Sequence, residues 1–375
     1  MKDSICPLNS SLKDVLVCVN SEPAGIAFIV DDFKKFKGVL TDGDVRRLLI
    51  KGYNVTDSIS DLNFNKCVYA YKGDKIDDLI QKTNNKIRII PILNKIHEPV
   101  DYFRNEHKTF FTPVAEPKFL GNEIKYVNDA MLSTWISSKG KYIDRFEKGF
   151  SKFCEVDYGV STSNGTVAIH LALLALGIGK GDEVIIPDLT FAATINAVIH
   201  SGAKPVIVDV DIDRWTISPN SIKKAVNKNT KAIIPVHIYG QPCEMDKIMT
   251  IASEMNLFVI EDCAEAHGAT FNQKKVGSFG NISTFSFFGN KIITTGEGGM
   301  CVTNSSKLNN NMRILRDHGM STDKKYWHDF VGYNYRMTNI QAAIGCAQLE
   351  NINKKLGLNQ QIENAYKSII KNESI

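Results

Sequence analysis

The sequence predicts an α/β protein in which a mostly parallel sheet, covered by helices on both faces, follows a small α+β unit. Three observations predict it. Beyond about residue 118, short Val- and Ile-rich stretches alternate with helical segments, the pattern of a parallel sheet buried on both faces. Before about residue 100, shorter segments of the same kinds come in two similar rounds. Between the two regions, 97–117 is polar and carries Pro99, Pro113 and Pro117, the composition of a junction. The boundaries expected are therefore 1–100, a linker at 101–117, and 118–375. A chain of 375 residues has room for these two domains.

Bulk composition narrows the class. With 43% hydrophobic and 23% charged residues, this is an ordinary globular chain rather than a disordered or fibrous one. Its net charge of +4 is too small and too dispersed for a nucleic-acid surface. Cys6, Cys18, Cys67, Cys154, Cys243, Cys263, Cys301 and Cys346 form no CxxC pair, which points to reduced thiols rather than disulfides or zinc. No metal site is expected. No apolar run reaches the length of a membrane span, and the N-terminus lacks the apolar core of a signal peptide. A cytoplasmic protein, not bound to membrane, is the expectation.

In the first region a helix is expected at Leu12–Val19, a buried strand at Gly25–Val30, a strand at Gly38–Thr41 and a helix from Asp42. The second round has a strand at Cys67–Tyr71, a helix at Lys75–Lys82 and a strand at Ile87–Leu93. The segment GVLTDGD, Gly38 to Asp44, ends a strand and opens a helix with Gly-x-x-Thr-x-x-Asp. On that motif and the half-repeat, the region resembles a pair of CBS domains, a nucleotide-sensing module. The resemblance implies an adenine nucleotide held by Thr41 and Asp44. A hydroxyl and free N–H groups at a helix start suit phosphate, and a carboxylate suits ribose hydroxyls. The second round lacks the motif, and Thr41 as a plain helix cap explains the first equally.

In the second region helices are expected at 122–133, 144–153, 165–176, 191–201, 219–227 and 244–255. Strands are expected at 157–161, 183–186, 205–209, 231–236, 257–261 and 282–287, and a last helix runs through 352–370. Ligands of such sheets bind at the carboxyl ends of the strands, so the candidate site residues are those at these ends. One is followed by Asn164, Gly165 and Thr166, a polar turn opening an Ala/Leu-rich helix. It suits a phosphate, with Thr166 and Ser286 as hydroxyl donors, or is simply an N-cap. Phe191 stands at another end and could stack on a flat ring; core packing is the commoner role of a lone phenylalanine. Asp262 ends a third strand without an obvious basic neighbour in sequence. Lys291, in SFFGNKIITTGEGG, follows an aromatic run and precedes a glycine-rich turn. A lysine there is either an exposed turn residue or one whose charge a carbonyl cofactor removes. Together these residues supply the parts of a pyridoxal 5'-phosphate site: a ring platform, an acid for the ring nitrogen, phosphate donors and a lysine.

The stretches STWISSKGKYIDRFE, SNGTVAIHLALLALGI, VIEDCAEAHGA, FSFFGNKIITTGEGGM and YWHDFVGYNYRMTNIQAAIG carry a resemblance that covers about 110–375. The chain there resembles the sugar-nucleotide aminotransferases, fold-type-I pyridoxal-phosphate enzymes with an α/β/α large domain. Within them it is most similar to those that aminate a GDP-linked 4-keto-6-deoxy sugar at C4 with glutamate. UDP- or dTDP-keto-sugar 3- or 4-aminotransferases are the alternative, and a catalytically silent nucleotide-sensing regulator is another. The resemblance implies that Lys291 forms the Schiff base with the cofactor and that Asp262 pairs with its ring nitrogen. It also implies that Phe191 stacks on the ring and that Gly165, Thr166 and Ser286 hold the phosphate. Glu265 would lie near the cofactor hydroxyl and the substrate. Asn334 would reach the phosphate in a neighbouring subunit, which implies a homodimer with shared sites. His237 and His267 lie near strand ends, where they could touch substrate or cofactor; a structural role is the commoner one, and nothing marks them as metal ligands. Family members usually continue through a small C-terminal domain beyond the point where this sequence stops, so that domain is expected to be missing.

Overall fold

The computed structural model of the chain describes residues 4–21, 25–64, 67–83, 87–104, 115–321, 323–324, 326–328 and 330–370. It divides into two compact units, 1–112 and 113–375.

The first unit contains β1 (Ile5–Pro7), α1 (Leu12–Ser21), β2 (Ile26–Val30), β3 (Phe36–Thr41) and α2 (Asp42–Ile50). It continues with β4 (Ala70–Tyr71), α3 (Ile76–Gln81), β5 (Ile89–Leu93) and β6 (Pro99–Arg104). They make two three-stranded sheets, β1-β2-β3 and β4-β5-β6. The sheets repeat each other in detail. In each the first pair is parallel and the second antiparallel. Ile26 pairs with Thr41 and Ile89 with Arg104, each 63 residues later, and both ladders break register just before their last pair. The joining turns match as well. Asp31 Oδ1 accepts from the N–H of Phe33 and Lys35, Asn94 Oδ1 accepts from those of Ile96 and Glu98, and Lys34 and His97 are left-handed.

Two strands in this unit differ from expectation. β1 is too short to show a period, and β6 falls where the prolines and charges of 97–117 suggested a junction. Pro99 opens an edge strand, one of the few places in a sheet that tolerates proline. The first unit therefore continues at least to Arg104, and most of the expected linker lies outside the described residues.

The second unit begins with α4 (Glu123–Leu132), α5 (Lys141–Phe153), β7 (Tyr158–Thr162), α6 (Gly165–Ala175), β8 (Glu183–Pro187), α7 (Ala192–His200) and β9 (Lys204–Val208). Then come α8 (Pro219–Ala225), β10 (Thr230–Ile233), α9 (Met245–Glu254), β11 (Phe258–Asp262), the short hairpin β12 (Thr270–Phe271) and β13 (Lys274–Lys275), and β14 (Ile282–Ser286). It ends with β15 (Gly299–Thr303), α10 (Ser306–Arg316), α11 (Asn339–Glu350) and α12 (Ile352–Ile369). Seven strands form one sheet in the order β7-β15-β14-β11-β10-β8-β9. All run the same way except β15, which is antiparallel to both its neighbours.

Alternation along the strands shows that both faces are covered. Val184, Ile186 and Ile260 pack with α6 and α7, whereas Ile185 and Val259 pack with α8 and α9. Phe285 and Phe287 join Phe146 and Phe150 of α5 in a third cluster. Sequence patterning missed β15, because GEGGMCV reads as a loop, and it assigned neither α10 nor α11.

One buried charge cluster fixes the β7 edge. Glu147, 4% exposed, accepts from the N–H and hydroxyl of Ser161 and pairs with Arg313 and Arg316. Burial alone would raise its pKa, but the two guanidiniums and the Ser161 N–H outweigh burial and hold it below the usual range. A depressed pKa in the folded state means that this stability is full above the unfolded carboxyl value, about 4.3, and is lost as pH falls through the folded value. Glu147→Gln is expected to cost about 3 kcal/mol at pH 7, since it breaks a buried pair. Thermal melts of both proteins should show the gap narrowing below about pH 4.

Candidate active site

The parallel strands bring their carboxyl ends to one edge of the sheet, and Gly165, Thr166, Phe191, Asp262, Glu265, Ser286 and Lys291 lie at or just after those ends. After β7, the Asn164 side chain caps α6 by accepting from the Val167 N–H at 3.0 Å. Gly165 opens that helix against the end of β14. A Cβ on Gly165 would stand 2.7 Å from Ser286 Cβ and 3.1 Å from its Oγ. The helix start and the Ser286 hydroxyl are thus neighbours, as an anion cradle requires. Thr166 follows in the first turn, half-buried. Gly165→Val is expected to destabilise the fold by about 1–3 kcal/mol through overpacking and to fill the cradle. A thermal melt and an inorganic phosphate titration monitor the two effects separately.

Asp262, the last residue of β11, is 5% exposed. Its Oδ2 accepts from Thr194 Oγ1 of α7 at 2.9 Å and its Oδ1 from the Ala264 N–H at 3.2 Å. Among the described residues no basic side chain makes an ion pair with it. Burial pushes its pKa up, and the Thr194 and Ala264 bonds only partly offset that. Thr194 was not singled out in the sequence. Its signal was available, as a threonine on the helix that follows the strand-end segment DLTF.

Phe191 precedes the same helix and is 76% exposed, so of the two roles read for it, ring stacking and core packing, the second does not hold. Its carbonyl accepts from the Thr194 N–H, which puts the exposed ring one helical turn from the hydroxyl that holds Asp262.

Lys291 is neither a free surface lysine nor unpaired. Its side chain is 17% exposed and its Nζ lies 3.5 Å from Glu265 Oε1. The other oxygen of Glu265 accepts from the Tyr239 N–H at 2.8 Å. Sequence reasoning placed Glu265 in the site but did not foresee this pairing. The Lys291 charge also acts on Asp262 and on His267. His267 is buried among Phe150, Phe285 and Phe287, and among the described residues neither ring nitrogen has a hydrogen-bond partner. Burial, then Lys291, pushes its pKa down to about 3, so it is neutral.

Two sets of residues stand apart. Asn334 is exposed on the segment before α11, where its Oδ1 accepts from Arg336 Nε; none of its bonds is to the Lys291 group. Thr41 and Asp44 belong to the first unit. They form a reciprocal capping box on α2, and Asp44 also accepts from Arg47 at 2.6 Å.

The buried trio His237, Glu261 and Cys263 has the residue types of a metal site. The atoms of two of the three, Glu261 and His237, are committed to hydrogen bonds instead. Glu261 accepts from the N–H groups of Gly277, Phe279 and Gly280 and from Ser283 Oγ, and His237 Nδ1 accepts from the Cys243 N–H. All eight cysteines are free thiols.

The sequence pattern of the DegT/DnrJ/EryC1/StrS aminotransferase family matches residues 118–374. The chain belongs to this family, a pyridoxal-phosphate-dependent sugar aminotransferase family. It is 52% identical over 260 residues to GDP-perosamine synthase of Escherichia coli O157:H7, an alignment covering 69% of this chain and 71% of that one. With GDP-perosamine synthase of Vibrio cholerae the identity is 50%, over 68% and 70% of the two chains. Among solved structures, the aminotransferase from Psychrobacter cryohalolentis superposes with a TM-score of 0.62 at 41% identity, covering 64% of each chain. Helicobacter pylori PseC, an aminotransferase of pseudoaminic acid biosynthesis, gives 0.66 at 29% identity, over 70% and 71% of the chains. The chain thus spans about two thirds of the length of these relatives. The matches bear out the family and the α/β aminotransferase fold read from the second region. No helix among the described residues is long and apolar enough to cross a membrane.

The site residues fit the family's cofactor on physical grounds. Asp262 is a buried carboxylate that its own chain supplies with a hydroxyl and an N–H but with no cation. The protonated ring nitrogen of pyridoxal phosphate is a cation of the right kind. Gly165 brings the start of α6 against the Ser286 hydroxyl, and a helix start beside a hydroxyl suits the phosphate.

Proposed function

We propose that the chain is a sugar-nucleotide aminotransferase like GDP-perosamine synthase, converting a GDP-linked 4-keto-6-deoxy sugar to the 4-amino sugar with glutamate as donor. The observation that carries the reading is the strand-end cluster, in which a buried, cation-free Asp262 and a partly buried Lys291 share one electrostatic site. The identity to two GDP-perosamine synthases supports the choice of sugar.

In this reading Asp262 holds the cofactor ring nitrogen, fixed by Thr194. Gly165, Thr166 and Ser286 hold its phosphate, and Phe191 supplies an exposed ring face for stacking. The cofactor contributes an electron sink that makes the amino-acid Cα–H acidic. Lys291 moves the proton between that carbon and the cofactor, as a positioned general base and then acid. Glu265 receives the Lys291 ammonium when the amine is free, so the proton carrier stays in the site. Asn334 would act from a neighbouring subunit of a homodimer.

We read residues 1–100 as a CBS-like nucleotide-sensing domain, supported by the duplicated sheets and their common register. An adenine nucleotide at Thr41 and Asp44 would have to replace bonds those residues make with each other.

The test of the substrate is a half-reaction screen. After glutamate has converted the bound cofactor to its amino form, GDP-, UDP- and dTDP-linked 4-keto-6-deoxy sugars are added separately. Recovery of the visible cofactor band with the GDP sugar supports the reading. Recovery only with a UDP or dTDP sugar reassigns the nucleotide, and recovery with none of them rejects it.

A further inference from the structure

We infer that His237 is a positioning residue for the Lys291–Glu265 pair, acting through a left-handed turn that its imidazole holds in place. The inference rests on the aminotransferase reading above. His237 and Glu261 are both fully buried, and His237 Nε2 donates to Glu261 Oε2 at 3.2 Å. On its other side, His237 Nδ1 accepts from the Cys243 N–H at 3.1 Å. Burial disfavours a charge on this ring, and the thiols of Cys243 and Cys263 favour it and raise its pKa; a nitrogen that accepts from an N–H nevertheless carries no proton, so the geometry is that of the Nε2–H tautomer with both nitrogens engaged. Glu261 is a firm anchor. Burial favours its protonation, but His237 and the N–H groups of Gly277 and Gly280 outweigh that and keep it ionised. The His237 backbone is tied as well, its N–H donating to the Asp262 carbonyl at 3.1 Å.

Between the two residues that the imidazole bridges, 237 and 243, the chain makes a tight reversal. Tyr239 adopts φ 51° and ψ 23°, a conformation that a tyrosine does not favour on its own. Gly240 follows at φ 83°, where a Cβ would stand 3.4 Å from the Glu265 carbonyl. This strained turn has one polar product on the site side: the Tyr239 N–H, donated to Glu265 Oε2 at 2.8 Å. Glu265 then presents its second oxygen to Lys291. The path from Glu261 through His237, the turn and Glu265 to Lys291 is continuous in hydrogen bonds and covalent backbone. Without the imidazole, the strained tyrosine turn keeps only its short-range bonds, from the Gly240 N–H to the His237 carbonyl, from the Gln241 N–H to the Ile238 carbonyl and from the Cys243 thiol to the Val236 carbonyl, and the donor that aims Glu265 is held less firmly.

The test is a double-mutant cycle on the full chain, with His237→Phe and Tyr239→Gly. Glycine adopts the left-handed turn without help, so it should replace the need for the histidine. His237→Phe is expected to slow the glutamate half reaction about tenfold, with little change in KM, because a misaimed Glu265 misplaces the amine. In the Tyr239→Gly background the same change should cost less than about threefold. Amide hydrogen exchange of the 237–243 segment, measured without cofactor, should speed up in His237→Phe and return towards the parent value in the double variant. Should His237→Phe not fold, His237→Leu takes its place in the cycle with the same expected losses, and the conservative control in either case is His237→Asn. It loses the bond to Glu261 while retaining an acceptor for the Cys243 N–H, and is expected to keep at least a third of the parent rate. Equal losses with and without Tyr239→Gly, unchanged exchange in the turn, or a loss in His237→Asn as large as tenfold would each overturn the inference. A bleachable cofactor band in every variant, with no effect on rate, would sink this inference alone. A missing band in the parent protein would sink the reading beneath it.

Discussion

Lys291→Ala is expected to reduce transamination by at least about 10³-fold, the upper part of the range for a positioned acid–base group. The variant should also lack the visible band that borohydride bleaches in the parent. The physical case comes from the residue's surroundings. Its side chain is mostly buried, its one ion-pair partner among the described residues is Glu265 at 3.5 Å, and its charge reaches Asp262. Removing the amine takes away both the covalent tether and the proton carrier. The fold should survive, because Lys291 belongs to none of the core clusters. A circular dichroism melt within a few degrees of the parent separates lost chemistry from lost structure.

Asp262→Asn is expected to have the second largest effect, on cofactor retention rather than on folding. The carboxylate is buried, and its bonds to Thr194 and Ala264 leave it without a cation. In the reading proposed here, the ring nitrogen supplies that cation. Breaking a buried charge pair costs about 3–5 kcal/mol. Non-covalent cofactor affinity should therefore fall about 10²- to 10³-fold, measured by dialysis of the Lys291→Ala background to exclude the covalent bond. The apo-protein, by contrast, should be no less stable with asparagine, because burial already raises the pKa of Asp262. A large loss of apo stability with unchanged cofactor affinity would mean that Asp262 serves the fold alone.

Much of this was legible in the sequence, and the gaps have physical reasons. The parallel strands were visible because strands buried on both faces are written as Val/Ile runs. β15 was not, because an antiparallel strand that starts on Gly299 and pairs between β14 and β7 has no run of its own. Asp262 and Lys291 could be named from their places at strand ends and turns. Tyr239 could not, since its role depends on a backbone N–H brought in from another strand end, and Thr194 carried a signal only in its place on the helix after DLTF. Phe191 shows the limit of reasoning by residue type. Phenylalanine usually packs inside, yet here it is displayed beside the site. In the first unit the half-repeat was readable, but its exactness in register emerged only from the pairing of β5 with β6, whose proline and charges had disguised it as a linker.

The most direct measurement is to load the protein with pyridoxal 5'-phosphate, reduce it with borohydride and map the modified peptide by mass spectrometry. The account predicts a single pyridoxyl group on Lys291. Labelling of a different lysine, or no labelling at all, would contradict it.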